Sequence, residues 1–284
     1  LAVIRSGLPE ISESMCGIVG IVSGEASTFI ETCTARLGHR GPDGQGIYID
    51  KTVALGHTRL AILDLTANGN QPMQTADGRY TLVFNGEIYN HLQLRETLAK
   101  HHVFRSTSDT ETLLYGFAAY GTAVFNKLNG IFACAIFDAQ TRQLTLARDP
   151  FGVKPLYYYH RPGHFVFASE LKAVINFPGI DKTIDYKALV NYLHFLYSPG
   201  AQTPFRTIQK LLPGHFMQLA VDAPEYPRPK RYYDIPFTGI YAHTTEQQLL
   251  DGMNWINTCT RLSNASCSRM FPLVFFCRGV WIRV

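Results

Sequence analysis

Met15-Cys16-Gly17-Ile18-Val19-Gly20 is the stretch from which this chain is read. The apolar, β-branched run behind Cys16 has the composition of a first strand. If translation starts at Met15 and the methionine is trimmed before its small neighbour, Cys16 carries a thiol and a free α-amine on one residue. A thiol needs a base to become a nucleophile, and an α-amino group, with a pKa of about 7.7 to 8.0, lies close enough to neutrality to serve. The bland alternative is a small apolar cysteine on a first strand, buried and inert. Polar runs further along the chain decide between the two.

The chain has 284 residues, 46% of them hydrophobic and 17% charged, enough for one full core and the beginning of a second. The formal charge of +4 is small and no Lys/Arg block is long enough to track a phosphate backbone, which argues against a nucleic-acid partner. No apolar run approaches the roughly 20 residues of a membrane span. The first residues, LAVIRSGLPEISES, lack the basic start and long apolar middle of a signal peptide. A cytoplasmic protein with no membrane partner is expected. Cys16, Cys33, Cys134, Cys259, Cys267 and Cys277 form no CxxC pair and no regular framework, so neither a metal site nor disulfides is indicated.

Residues 18–22, 47–49, 53–57, 80–84, 131–138, 143–147, 156–159 and 164–168 are β-branched and aromatic runs bounded by Gly, Asp or Pro, and are expected as strands. Residues 92–100 and 110–120 carry apolar side chains at helical spacing, with Ser108 and Asp109 supplying an N-cap for the second. Strands grouped with helices in this manner predict an α+β layered domain. From Asp185 a helical stretch, DYKALVNYLHFLY, leads through the Pro-rich SPGAQTPF to LLPGHFMQL, and reads as the entrance to a second domain.

Five polar runs lie on or beside the strand ends: HRGPDG at 39–44, GHTRLAILDL at 56–65, FNGEIYN at 84–90, SDTE at 108–111 and RDPFGVKPLYY at 148–158. Singly each is unremarkable as a turn or a solvated strand end. Together with Cys16, and in this order, they resemble the glutaminase domain of the class II glutamine amidotransferases, which are N-terminal nucleophile hydrolases. LNGIFACAIFD, ARDPFGVKPLYY, FASELKA and LLPGH resemble the version found in glutamine-hydrolysing asparagine synthetases. The resemblance runs from about residue 15 to 251. It implies a four-layer αββα domain with two stacked antiparallel sheets, followed by the start of an α/β synthetase domain. The expected organisation is an upstream extension or propeptide at 1–14, a glutaminase domain at 15–204, a connection and synthetase start at 205–251, and a tail at 252–284.

The resemblance also implies roles. Cys16 attacks the glutamine carboxamide, and its own α-amine takes the proton. Asn85 and the backbone N–H of Gly86 receive the oxyanion, with Gly86 letting the backbone approach without a Cβ. Arg59 and Asp109 hold the carboxylate and ammonium of the substrate. Leu60, Ile62, Leu63 and Glu87 line the pocket. No cofactor is needed for this step. In the family, ammonia then displaces AMP from an aspartyl adenylate in a half that uses aspartate, ATP and magnesium. A homodimer is compatible with the resemblance.

Two departures stand out. The phosphate-binding signature S-G-G-x-D-S of that second half is absent, and beyond Asp251 the composition shifts to a stretch with three cysteines and both tryptophans. The tail is read as an out-of-frame continuation. Joining the third base of each codon to the first two of the next, Trp281-Ile282 forces Asp and Met270-Phe271 forces Val, while 277–284 permits Ser-Gly-Gly-Leu-Asp-Ser-Ser. Such a tail is expected to be poorly ordered. Residues 1–14 precede Met15, and while they are attached the nitrogen of Cys16 is an amide and no base. They read as a propeptide or as wrongly included upstream sequence. Three functions stay open: an asparagine synthetase piece retaining glutaminase activity, a glutamine-binding module without turnover, and an amidotransferase feeding another acceptor such as a sugar phosphate.

Overall fold

The computed structural model describes residues 15–222 and 226–235, together with the backbone of 274–277 and 280–283. The expectations for 1–14 and for most of 252–284 therefore lie outside the described residues. Of the tail, β13 (Val274–Cys277) and β14 (Val280–Arg283) pair as an antiparallel hairpin.

Two six-stranded antiparallel sheets make up the fold. The first contains β1 (Gly17–Val22), β2 (Gly44–Asp50), β3 (Val53–Arg59), β8 (Tyr157–Arg161), β9 (His164–Ala168) and β10 (Ile208–Lys210), in the order β10-β8-β9-β1-β3-β2. The second contains β4 (Met73–Gln74), β5 (Tyr80–Ile88), β6 (Gly130–Asp138), β7 (Gln143–Arg148), β11 (His215–Ala220) and β12 (Lys230–Arg231), in the order β12-β11-β7-β6-β5-β4. The helices are α1 (Ala26–Ala35), α2 (His91–Leu98), α3 (Asp109–Tyr120), α4 (Leu171–Val174) and α5 (Tyr186–Phe195).

Strand pleating sorts the apolar side chains into three layers, because successive residues face opposite sides of a sheet. Ile18, Val22, Val53 and Leu55 of the first sheet meet Val83, Ala133, Ala135, Phe137, Leu144 and Leu146 of the second in a central core. The alternate residues Val19, Ile21, Ala54 and Val166 turn outward onto Ala26, Ile30 and Cys33 of α1 and Ala173 and Val174 of α4. Leu82, Phe84, Phe132, Cys134 and Ile136 turn outward onto Leu113, Leu114 and Phe117 of α3. The order of layers is helix, sheet, sheet, helix, as the sequence motifs lead one to expect.

All eight runs expected as strands form strands, and both expected helices and the helix behind Asp185 are present. Ser108 caps α3 by accepting the N–H of Glu111, while Glu111 accepts the N–H groups of Arg105 and Ser106 at 2.9 and 2.7 Å. The differences are two: α1 and α4 form where the sequence alone gives no helix, and the chain after residue 204 stays within the two sheets. Of the stretch 205–251, expected as a connection and the start of a synthetase domain, the described part supplies strands to both sheets: β10 pairs with β8, β11 with β7, and β12 with β11, while 236–251 lie outside the described residues. The reason is packing. Alternation within HFMQLA directs Met217 and Leu219 into the central core, where they close its open edge. No second domain is seen among the described residues, and none of their helices is long and apolar enough to cross a membrane.

Candidate active site

The parity of the central core also assembles the site. On β1 the inward residues are Ile18 and Val22, and the same phase carried one step back reaches Cys16. On β3 the inward set Val53 and Leu55 continues through His57 to Arg59, and on β5 Val83 continues through Asn85 to Glu87. Apolar residues fill the gap, and polar residues of the same phase gather at one end of it. Cys16, Arg59, Leu60, Ile62, Leu63, Gly86, Glu87 and Asp109 line a single cavity there. Eight of the nine residues expected at the site are thereby brought together. The ninth, Asn85, adjoins Gly86 on β5, is 1% exposed, and its Nδ2 has no hydrogen-bond partner. A buried amide donor left without an acceptor costs free energy, and at a cleft such a donor is commonly reserved for a ligand.

Cys16 is held on both sides. Its Sγ accepts the N–H of Leu60 at 3.4 Å and lies 3.6 Å from the Leu60 carbonyl oxygen, which accepts the thiol hydrogen. Its own carbonyl accepts Nε of Arg40 at 3.1 Å, and Arg40 is fixed in turn by Glu170 at 2.8 Å. Burial pushes the thiol above its ordinary range, with the Leu60 hydrogen bond and the charges of Lys154 and Arg59 pulling the other way. The thiol thus needs a base to ionise it.

Arg59 ends β3 with its guanidinium wrapped in the loop that follows. Nη1 donates to the carbonyl of Thr66 at 2.9 Å and to Oδ1 of Asn70 at 2.6 Å, and Nη2 donates to the carbonyl of Asp64. Three of its five N–H donors are so committed, which aims the remaining edge. Gly69 is required beside it, since a Cβ there would sit 2.4 Å from Nη2. Asp64 ties this loop to the approach of α3 by accepting the N–H of Thr107 at 2.8 Å.

Asp109 opens α3, and its Oδ2 accepts the N–H of Ile88 at 2.9 Å. Burial, with Glu87 adding to it, pushes its carboxyl up to about 7. Glu87 is also raised by burial. Gly86 is needed for a reason the motif did not disclose: a Cβ there would lie 2.2 Å from the carbonyl oxygen of Ile131 on β6, so the crowding comes from the neighbouring strand.

Sequence reasoning missed Gln71, which lines the cavity, accepts the N–H of Phe84 at 2.6 Å and donates to Thr110 at 3.3 Å. Its segment, GNQPMQ, carries no periodic signal, and only the fold brings it under β5. Lys154, whose charge reaches Cys16, lies in the RDPFGVKPLYY run, where nothing local signals that nearness.

The family of glutamine amidotransferase domains matches residues 15–233. The chain belongs to the class II glutamine amidotransferases. Glutamine-hydrolysing asparagine synthetase 1 of Bacillus subtilis is 39% identical over 208 residues, 70% of this chain and 33% of that protein. The amidase chyE of Penicillium rubens is 33% identical over 219 residues, 76% of this chain and 32% of that one. The amidotransferase domain thus spans about a third of the length of the curated relatives it matches. Glutamine phosphoribosylpyrophosphate amidotransferase from B. subtilis, solved with ADP and GMP, shares the fold with a TM-score of 0.58 at 20% identity, over 78% of this chain and 50% of that chain.

Proposed function

We propose that the domain hydrolyses glutamine to glutamate and ammonia through a thioester on Cys16. Once Met15 is removed, the α-amine of Cys16 takes the thiol proton and Sγ bonds to the carboxamide carbon. The oxyanion is met by Nδ2 of Asn85 and the N–H of Gly86, a contribution of about 3 to 4 kcal/mol per donor. The ammonium of Cys16 passes its proton to the departing nitrogen as the C–N bond breaks, and ammonia leaves. Water then attacks the thioester, releasing glutamate and restoring the thiol. Arg59 receives the substrate carboxylate and Asp109 its ammonium, while Leu60, Ile62, Leu63 and Glu87 shape the pocket between them.

One observation carries this reading: a buried, unpartnered amide donor on Asn85, next to a cavity that holds a nucleophile, a guanidinium and a carboxylate. The similarity to asparagine synthetases supports a further step, in which the ammonia amidates aspartate at the expense of ATP with magnesium. That step falls to the two thirds of those relatives that this domain does not span.

The test is the chain expressed from Met15, with methionine trimmed, incubated with glutamine and assayed for glutamate. Turnover that disappears in Cys16→Ala supports the reading. Full activity in Cys16→Ala, or tight glutamine binding with no glutamate formed by the parent, overturns it.

A further inference from the structure

The run RDPFGVKP, from the end of β7 toward β8, has no part in the chemistry above, yet it is heavily braced. Asp149 is fully buried, and its two carboxylate oxygens accept four backbone N–H groups: Phe151 and Val153 at 3.0 Å, Lys154 at 3.0 Å and Phe132 at 3.3 Å. Arg148 does the converse, donating to the carbonyls of Lys154 at 2.7 Å, Gly152 at 2.6 Å and Leu211 at 2.6 Å. Gly152 completes the loop at φ +67°, where a Cβ would lie 2.7 Å from Pro213. Adjacent acid and base side chains thus gather the loop's own donors and acceptors and fix its shape.

What the brace presents is Lys154. Its ammonium lies 2.9 Å from Sδ of Met15, the residue directly before Cys16. A thioether is a weak acceptor, so this contact does little to offset the desolvation of a partly buried ammonium. Burial, and then Arg40, lower the pKa of Lys154, while Cys16, Asp149 and Glu87 raise it. The loop therefore spends rigid structure on holding a cation at the start of the nucleophile's residue.

We propose that Lys154 is a positioning residue for the base of the reaction: its ammonium, braced at the Met15–Cys16 junction, holds the α-amine of Cys16 neutral near pH 7 once Met15 is gone. This rests on the glutaminase reading, because only there is the α-amine a base. A like charge nearby disfavours protonation of the amine. The other groups around the junction are Arg40, paired with Glu170, behind it, Arg59 from β3, Glu87 from β5 and Asp109 from α3. Glu87 and Asp109 favour the ammonium form and Arg40 and Arg59 oppose it. Asp149 also favours the ammonium form, its charge spread over four N–H donors, while Lys154, whose ammonium rests on a thioether, opposes it and tips the balance.

The experiment compares parent, Lys154→Met and Lys154→Arg, all expressed from Met15 through Val284 with methionine removed. In the pH profile of kcat/KM, Lys154→Met moves the acid limb upward by roughly half to one pH unit, matches the parent on the alkaline plateau, and is restored by Lys154→Arg. A second readout needs no turnover: the α-amino nitrogen of the [15N]cysteine-labelled chain is titrated by NMR. An α-amine pKa unchanged between parent and Lys154→Met overturns the inference even where glutaminase activity stands. An upward shift without any glutamine turnover leaves the charge coupling between Lys154 and the amine standing but overturns the glutaminase reading, and with it the role of that amine as a base.

Discussion

Oδ2 of Asp109 accepts the backbone N–H of Ile88 at 2.9 Å, which ties the first residue of α3 to the last residue of β5. The bond fixes the carboxyl at the cavity, while burial raises it to about 7. In the proposed pose a bound ammonium needs the ionised form, so glutamine binding near neutrality is expected to release a proton. Calorimetry on Cys16→Ala, which separates binding from turnover, is expected to show affinity rising with pH until it levels off above about 7. Asp109→Asn is expected to weaken binding roughly 10- to 100-fold, the worth of a charged hydrogen bond, and to abolish that pH dependence. An unchanged dependence in Asp109→Asn would assign the proton to another group.

Asn85 offers a donor with nothing to donate to. In the proposed reaction its hydrogen bond strengthens as charge develops on the substrate oxygen, so Asn85→Ala is expected to lower kcat by about 10²- to 10³-fold with KM changed only a few-fold. Steady-state kinetics decide. A rise in KM at constant kcat would place Asn85 in ground-state binding.

Gly86→Ala is expected to damage the fold and not the chemistry alone. The added methyl would lie 2.2 Å from the carbonyl oxygen of Ile131 and 2.6 Å from Cα of Phe132, so β5 and β6 must separate. Overpacking of this kind costs about 1 to 3 kcal/mol, which thermal unfolding would register as a lowered Tm. A variant with parental Tm would show that the strands yield without cost.

His57 and Asp109 oppose one another in acid. Burial pushes His57 down to about 3 from an ordinary value of 6.5, so the unfolded chain binds more protons in that interval and this contribution is lost as pH falls through it. Asp109, raised to about 7 from 3.8, has the opposite sign: the folded chain binds more protons, and stability is lost as pH rises from about 4 to 7. Asp109→Asn removes the second effect and leaves the first unopposed. Denaturant unfolding between pH 4.5 and 6.5 should show the stability of the parent relative to Asp109→Asn falling by about 1.4 kcal/mol per pH unit on going up. A constant difference across that range would mean that Asp109 titrates normally.

Much of this was legible in the sequence because it was local. Strand composition, the Ser108 cap and the position of Cys16 before a strand depend on neighbours within a few residues. The helix α1 carries its apolar face on Ala26, Ile30 and Cys33, but its run ASTFIETCTA is rich in Ser and Thr, and it becomes a helix by packing on the first sheet. The strand β11 pairs with β7, some seventy residues away, and nothing in LLPGHFMQL announces that partner. Arg59 was identified from its motif, whereas its commitment to Thr66, Asn70 and Asp64 required the loop to be seen closed. Lys154 stands in a legible motif, but its nearness to Met15 depends on the cage around Asp149.

Because Cys16, Arg59, Asn85 and Glu87 share the inward phase of three strands, the site has the tolerances of a vernier. One residue inserted into β5 ahead of Asn85 would turn its carboxamide toward α3 and leave the cleft without its donor. Two inserted residues would restore the facing but slide it along the strand by about 6.8 Å, beyond the reach of a substrate held at Arg59. An insertion is therefore expected to be tolerated in the turns and not in the strands that line the cleft, which can change in letters but not in count.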